Sequence, residues 1–271
     1  GSLNGFDPNT DTVAYAELAD LDKWALSRLN DLARTVRAYY NKYEFHGVYR
    51  SIYNFCVVDM SNFYFDIIKD RLYCGDLSGR RSAQTALYRI LDGMTRLVAP
   101  ILAFTSEEIW AAMPHDGAAD GESVLFNEMP DYEEALALPE AEAARWQAAM
   151  DLRADVNKAL EIARSEKRIG KSLEAKVTLY FDGEAQALWN GPLGGFNTGD
   201  LETVCIVSHV DAVLGSGEGY AGEAVPGLTV KVEPAEGGKC ERCWMYKEDV
   251  GRDHDHPALC TRCASVVRTE Q

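Results

Sequence analysis

The sequence predicts a mainly α protein: a helical bundle, then a small α+β unit, then a C-terminal module built on four cysteines. Three observations carry this. Apolar residues recur at spacings of three and four from residue 20 to 169, the period falls to two at 175–181, and the tail holds the pattern Cys240-x2-Cys243-x16-Cys260-x2-Cys263.

The elements follow in order. Leu21, Ala25, Leu29, Leu32, Val36, Tyr40 and Tyr43 mark a first helix, with Asp20 as its expected N-cap. Val48, Ile52, Cys56, Met60, Phe63 and Ile67 mark a second, expected to start just after Gly47. Leu87, Ile90, Met94, Leu97 and Ile101 mark a third, which Pro100 should stop or kink. Thr105 with Glu108 predicts a capping box for a short helix ending before Pro114. Beyond an acidic connector, Trp146, Ala149, Leu152, Val156, Leu160 and Ala163 define a last long helix. Amphipathic segments of this kind bury their stripes against one another, which makes a bundle the natural solution.

At Ala175, Val177, Leu179 and Phe181 the apolar residues alternate with polar ones, as on a half-buried strand. Val204–Val207 and Leu228–Val232 predict two further strands, and Glu184–Trp189 a short helix. The expected domains are a tag scar and linker at 1–19, the bundle at 20–171, the α+β unit at 172–236 and the cysteine module at 237–271. With no initiator methionine, the chain reads as part of something longer.

The chain of 271 residues carries a net charge of −16. That charge is local. Residues 116–144 hold 9 acids and no Lys or Arg, and residues 182–236 hold 9 acids beside the single Lys231, so the remainder is close to neutral. An acidic total therefore does not exclude a basic face and a nucleic-acid partner. No run approaches 18 apolar residues and no signal peptide opens the chain, so a soluble, cytoplasmic protein without membrane contact is expected; a monomer is expected as well.

The cysteine pattern is the most specific signal. Each Cys-x-x-Cys turn aims two sulfurs at one point, and two turns complete a tetrahedron suited to one zinc ion. Four protein ligands leave no open position, so the zinc is expected to be structural. Two disulfides or a redox pair are the competing readings, disfavoured by the matched spacing and the expected compartment. His254 and His256 lie between the pairs as substitute ligands, and Cys56, Cys74 and Cys205 read as core or near-core thiols. Gly170-Lys171-Ser172 and Gly217-x-Gly219-x-x-Gly222 mimic nucleotide loops, but neither has the strand-then-helix setting those loops require, so both read as plain loops.

Basic residues gather in several places: Lys69 and Arg71 after an aromatic stretch, Arg80 and Arg81, then Arg164, Lys167, Arg168 and Lys171 at the end of the last helix. Arg242 and Trp244 sit in and beside the first cysteine turn. Cations neutralise phosphates while Arg and Trp planes stack on unpaired bases, so these ten residues are candidate RNA contacts.

Several segments then carry a resemblance. Tyr49-Arg50-Ser51-Ile52-Tyr53-Asn54-Phe55, Asp59-Met60-Ser61-Asn62-Phe63-Tyr64 and Lys69-Asp70-Arg71-Leu72-Tyr73 resemble the anticodon-binding bundle of class I aminoacyl-tRNA synthetases for isoleucine, valine and leucine. Leu97–Leu102 with Thr105–Trp110, and Arg164–Lys167 with Ile169–Ser172, are similar to its continuation. The Cys240–Cys263 module points within these to the bacterial-type isoleucine enzymes, whose zinc finger resembles that of certain DNA-repair glycosylases. The resemblance implies a tRNA(Ile)-binding, zinc-bearing piece of a ligase. Catalysis and ATP would then belong to a domain carrying the HIGH and KMSKS signatures, neither of which occurs here. The alternatives are a DNA-repair protein sharing the finger and a zinc-bearing interaction scaffold.

Overall fold

The computed structural model describes residues 2–117 and 120–269, and the chain divides into two compact units, 1–138 and 139–271.

The first unit is helical. Its elements are α1 (Asp20–Asn41), α2 (Phe45–Asn54), a π-helical stretch Phe55–Tyr64, α3 (Phe65–Ile67), α4 (Lys69–Cys74), α5 (Leu77–Val98) and α6 (Ala103–Ala112). Helix α1 packs against α2 and α5, burying Leu21, Ala25, Leu32 and Val36 of the predicted stripe together with Trp24 and Leu26 beside it. Its cap is Ala19, with Asp20 already inside the first turn as a charge favourable to the helix dipole. Gly47 does not start the second helix but lies within α2, where a Cβ would meet the Tyr39 ring at 2.5 Å. Helix α5 begins at Asp76, whose carboxylate accepts from the Gly79 N–H at 2.8 Å, and ends before Pro100. The predicted Thr105–Glu108 capping box is absent: α6 starts at Ala103 after Leu102, so Thr105 is already in the helix. The segment before α1 is not bare linker, since Phe6 is buried with its ring 5.7 Å from that of Tyr88.

The first unit is also pinned by a fully buried carboxylate. Asp22 on α1 accepts from the Tyr64 hydroxyl at 2.7 Å, the Ser82 hydroxyl at 2.6 Å and both terminal nitrogens of Arg71 at 2.6 and 2.8 Å. Four segments thus converge on one charge, and charge-assisted bonds of this kind are about twice as strong as neutral ones.

The second unit opens with α7 (Glu140–Ser165), which packs against strand β4, helix α9 and the turn at Pro192–Gly195. The long helix expected to close the bundle therefore belongs to the same compact unit as the sheet. That sheet runs β2 (His209–Leu214), β1 (Ala175–Phe181), β4 (Leu228–Pro234), β3 (Tyr220–Ala221), with β1–β2 parallel and the other pairs antiparallel. The parallel pair needs a crossover, supplied by α8 (Glu184–Asn190) and α9 (Thr198–Cys205). Val204–Val207 is thus not a strand. Asn197 and Asp200 form a reciprocal capping box that starts α9, Ile206 ends it in a left-handed conformation, and the strand begins only at His209.

Candidate metal centre and nucleic-acid interface

The tail is a short hairpin, β5 (Gly238–Lys239) paired with β6 (Tyr246–Lys247), followed by a loop and α10 (Thr261–Thr269). Cys240 and Cys243 lie in the hairpin turn, closed by Cys240 N–H to the Met245 carbonyl at 2.9 Å and Trp244 N–H to the Cys240 carbonyl at 2.9 Å. Cys260 precedes α10 and Cys263 sits in its first turn. This folding brings four sulfurs, all buried, within 4.8 Å of one another.

The donor set fits a tetrahedral thiophilic cation. Zn–S bonds of about 2.3 Å imply S···S edges near 3.8 Å, and Cys243 and Cys260 sulfurs stand 4.0 Å apart. The Cys260 N–H points at the Cys240 sulfur at 3.3 Å, the polarity a thiolate favours. Crowding shows in the acidities. The Cys243 thiol is drawn down to about 5, chiefly by its hydrogen bond with Cys263. The Cys263 thiol is pushed up by that same bond, and burial pushes Cys260 up. For all four to ionise at this density, a cation must sit among them. His254 and His256 are not in the cluster, which among the described residues is made of the four cysteines.

Part-buried hydrogen bonds fix the module to segments that flank the sheet. The Ser208 hydroxyl accepts from Tyr246 N–H at 2.7 Å and donates to the Leu173 carbonyl at 2.5 Å, while Lys247 reaches Glu202 at 2.8 Å and the Ser208 carbonyl at 2.7 Å. The attachment sets Trp244 beside the basic chain that follows α7. Its ring lies 5.7 Å from the Lys171 ammonium and 5.8 Å from that of Lys239. Trp244 is 56% exposed and holds a left-handed backbone at φ 65°, with its indole N–H donating to the Glu241 carbonyl at 3.1 Å. A bulky residue in that conformation is strained, and strain of order 1–3 kcal/mol persists at functional positions.

The other predicted contacts fall into two groups. Arg164, Lys167 and Lys171 are exposed at and just beyond the end of α7, and Arg242 is half-buried within the cysteine turn. Arg71, Arg80, Arg81, Arg168 and Lys69 bond other groups of the protein. Arg71 is held by Asp22. Arg80 donates to the Leu72 carbonyl at 3.1 Å, and Arg81 donates to the Gly5 carbonyl at 2.7 Å and pairs with Asp11 at 3.0 Å. Arg168 bonds Glu166 at 2.7 Å and the Val232 carbonyl, and Lys69 is exposed but paired with Asp66 at 2.9 Å. Sequence reasoning missed Lys239, whose one signal was its position next to Cys240. Of the isolated thiols, Cys74 and Cys205 are buried, whereas Cys56 is exposed because its position in the π-helical stretch faces solvent.

The chain thus joins in sequence a helical unit to an α+β unit that carries a four-thiol cluster and an exposed tryptophan flanked by two lysines. Residues 22–179 match the family described as the anticodon-binding domain of tRNA ligase, and the chain belongs to that family. Residues 237–266 match the zinc finger found in FPG and IleRS, which together with the four-cysteine cluster supports a structural zinc. Among curated proteins the chain is 48% identical over 269 residues to the isoleucine–tRNA ligase of Syntrophotalea carbinolica, covering 98% of this chain and 28% of that protein. It is 45% identical over 276 residues to that of Caldanaerobacter subterraneus subsp. tengcongensis, and 44% over 273 residues to that of Geobacter sulfurreducens. These matches cover 100% and 99% of this chain, but only 29% and 28% of those relatives' lengths. Among the described residues, no helix is long and apolar enough to cross a membrane.

Proposed function

We propose that this chain is the tRNA-gripping part of a cytoplasmic, monomeric isoleucine–tRNA ligase, an enzyme joining isoleucine to tRNA(Ile) at the cost of ATP. On this reading, residues 20–171 bind the anticodon side of the tRNA, 172–236 connect, and 237–271 hold one zinc ion through Cys240, Cys243, Cys260 and Cys263. The chain itself carries affinity and anticodon choice, while ATP and the bond-forming chemistry belong to another domain. Zinc supplies folding energy and fixes the turn; the protein's own groups make the RNA contacts.

One observation carries the reading. Trp244 stands exposed, strained and flanked by two lysines on a turn that the cysteines immobilise. A base stacking on that indole would put its phosphates within reach of Lys171 and Lys239, with Arg242, Arg164 and Lys167 as further cations. Stacking on an aromatic is worth about 1–3 kcal/mol per base. Titrating labelled tRNA(Ile) with the zinc-loaded chain at fixed salt tests this. Trp244→Ala should weaken binding by that amount, and Lys239→Ala should lower the salt slope by roughly one unit. An unaltered dissociation constant for Trp244→Ala would reject the assignment.

A further inference from the structure

Helix α2 buries only Gly47 and Val48 of its ten residues. What it leaves outside is ordered. Phe45, Tyr49 and Tyr53, at i, i+4 and i+8, form one stripe and are 50%, 65% and 54% exposed. His46, Arg50 and Asn54, at the same spacing one position on, form a second stripe, also exposed. Residues four apart are neighbours on a helix surface, so the two stripes run side by side for about 12 Å. The Tyr49 and Tyr53 rings are 5.9 Å apart and tilted by 31°. Just before the helix, Tyr43 is 81% exposed in a left-handed conformation at φ 57°, the same strained setting that Trp244 occupies in the second unit.

Aromatic rings beside arginine mark contact surfaces for protein and RNA partners alike, and a face committed within its own unit would bury its rings and pair its cations. This one is aromatic, and among the described residues Lys42, His46 and Arg50 make no ion pair. The segment 42–54 has one acid, Glu44, in a chain of net charge −16. By contrast, the cations first suspected in this unit are held by its own carboxylates and carbonyls. Tyrosine rings beside an uncommitted guanidinium suit unpaired bases and the backbone joining them.

We infer that the outer face of α2 is a second RNA-stacking surface, in which Tyr49 and Tyr53 receive bases of an unpaired stretch and Arg50 meets the adjoining phosphate. The inference rests on the proposed tRNA-binding function and adds a contact surface in the helical unit, separate from Trp244.

The test is a fluorescence-anisotropy titration of the 271-residue, zinc-loaded chain with a labelled anticodon stem–loop of tRNA(Ile) at fixed salt. Tyr49→Leu/Tyr53→Leu keeps apolar bulk and helix propensity but removes both rings, and should weaken binding roughly tenfold or more. Tyr49→Phe/Tyr53→Phe retains the rings and should bind within about twofold of the parent, since stacking needs only the π-face. Both sites are exposed, so unchanged circular dichroism is expected and is measured alongside. If Trp244→Ala weakens binding but the double leucine variant does not, the α2 surface is refuted while the tRNA reading stands. If the parent chain binds no RNA, both fail together. Equal losses for the leucine and phenylalanine variants would show that the hydroxyls, not the rings, carry the contact, and would overturn the stacking assignment.

Discussion

The helical unit and the cysteine module fix their surfaces by different means, and the difference bears on which of their cations reach solvent. The helical unit draws four segments together on the buried charge of Asp22, engaging Arg71, Tyr64 and Ser82. The cysteine module buries little apolar surface: of α10 only Cys263, Ala264 and Val266 are buried. There four sulfurs replace a core, and Lys171 and Lys239 are left beside Trp244 at the surface. In the helical unit Arg71 is committed to that buried charge, whereas Lys171 and Lys239 stay exposed beside the indole of Trp244.

The largest effect that would break this contrast comes from removing the metal. Zinc binding to such modules is worth about 10–16 kcal/mol of apparent energy, far more than the module's apolar burial. Chelation, or Cys243→Ser, should abolish amide-exchange protection across 238–269 while leaving α1 and α5 protected. Persistent protection in the tail after complete chelation would mean that its apolar contacts suffice.

Next in size is Arg71→Met. It strands the Asp22 carboxylate in a site with no solvent access, and breaking a buried pair from one side costs about 3–5 kcal/mol. Denaturant unfolding should register that loss. The paired replacement Asp22→Leu/Arg71→Met should recover much of it, because the unpaired charge is gone. RNA affinity of the folded variant should stay at the parent value, which is the sharper half of the test. A salt-dependent loss of affinity would return Arg71 to the RNA-facing group.

How much of this could be read from the sequence depends on range. The apolar period found α1, the helical run from α2 onward and α5, and Pro100 marked the stop after α5, because burial stripes and proline geometry are local. The four-cysteine cluster was legible because two fixed spacings converge on one geometry. What failed were features settled by distant partners. Val204, Ile206 and Val207 are β-branched and read as strand, yet the Asn197–Asp200 box starts a helix that runs to Cys205. Arg71 follows an aromatic run and looks RNA-directed, but its partner lies 49 residues away on α1. Lys239 gained meaning only once the hairpin placed it against Trp244. The glycine pattern at Gly217, Gly219 and Gly222 answers to packing: Cβ atoms there would meet the Tyr180 ring at 2.3 Å, the Val230 carbonyl at 2.4 Å and the Asp155 carboxylate at 2.5 Å.

Asp155 gives the second unit its own buried carboxylate and so a direct counterpart to Asp22. Its oxygens accept from three successive backbone amides, Glu223 at 2.9 Å, Ala224 at 3.0 Å and Val225 at 2.8 Å, tying α7 to the loop before β4. No cation is required, since the amides supply the positive end. Asp155→Asn should cost about 2 kcal/mol, the loss of bonds to a charged acceptor, and less than Arg71→Met because no lone buried charge remains. Equal costs for the two would erase the distinction between a charge held by amides and one held by a guanidinium.

The smallest expected change concerns Trp244 and separates display from structure. Truncating a buried tryptophan costs about 3–5 kcal/mol. At this exposed site glycine forfeits one hydrogen bond to Glu241 and two cation–π contacts at 5.7 and 5.8 Å. Exposed interactions of that sort contribute about 0.5–1 kcal/mol each. Against this, glycine accepts φ 65° without the strain of order 1–3 kcal/mol that a bulky side chain carries there. The opposing contributions are similar, so the unfolding free energy of zinc-loaded Trp244→Gly should stay within about 1 kcal/mol of the parent. RNA binding should nonetheless fall as for Trp244→Ala. A destabilisation above about 3 kcal/mol would instead make the indole part of what holds the module together. The metal would then no longer be holding that turn alone, and the contrast between the helical unit and the cysteine module would lose its basis.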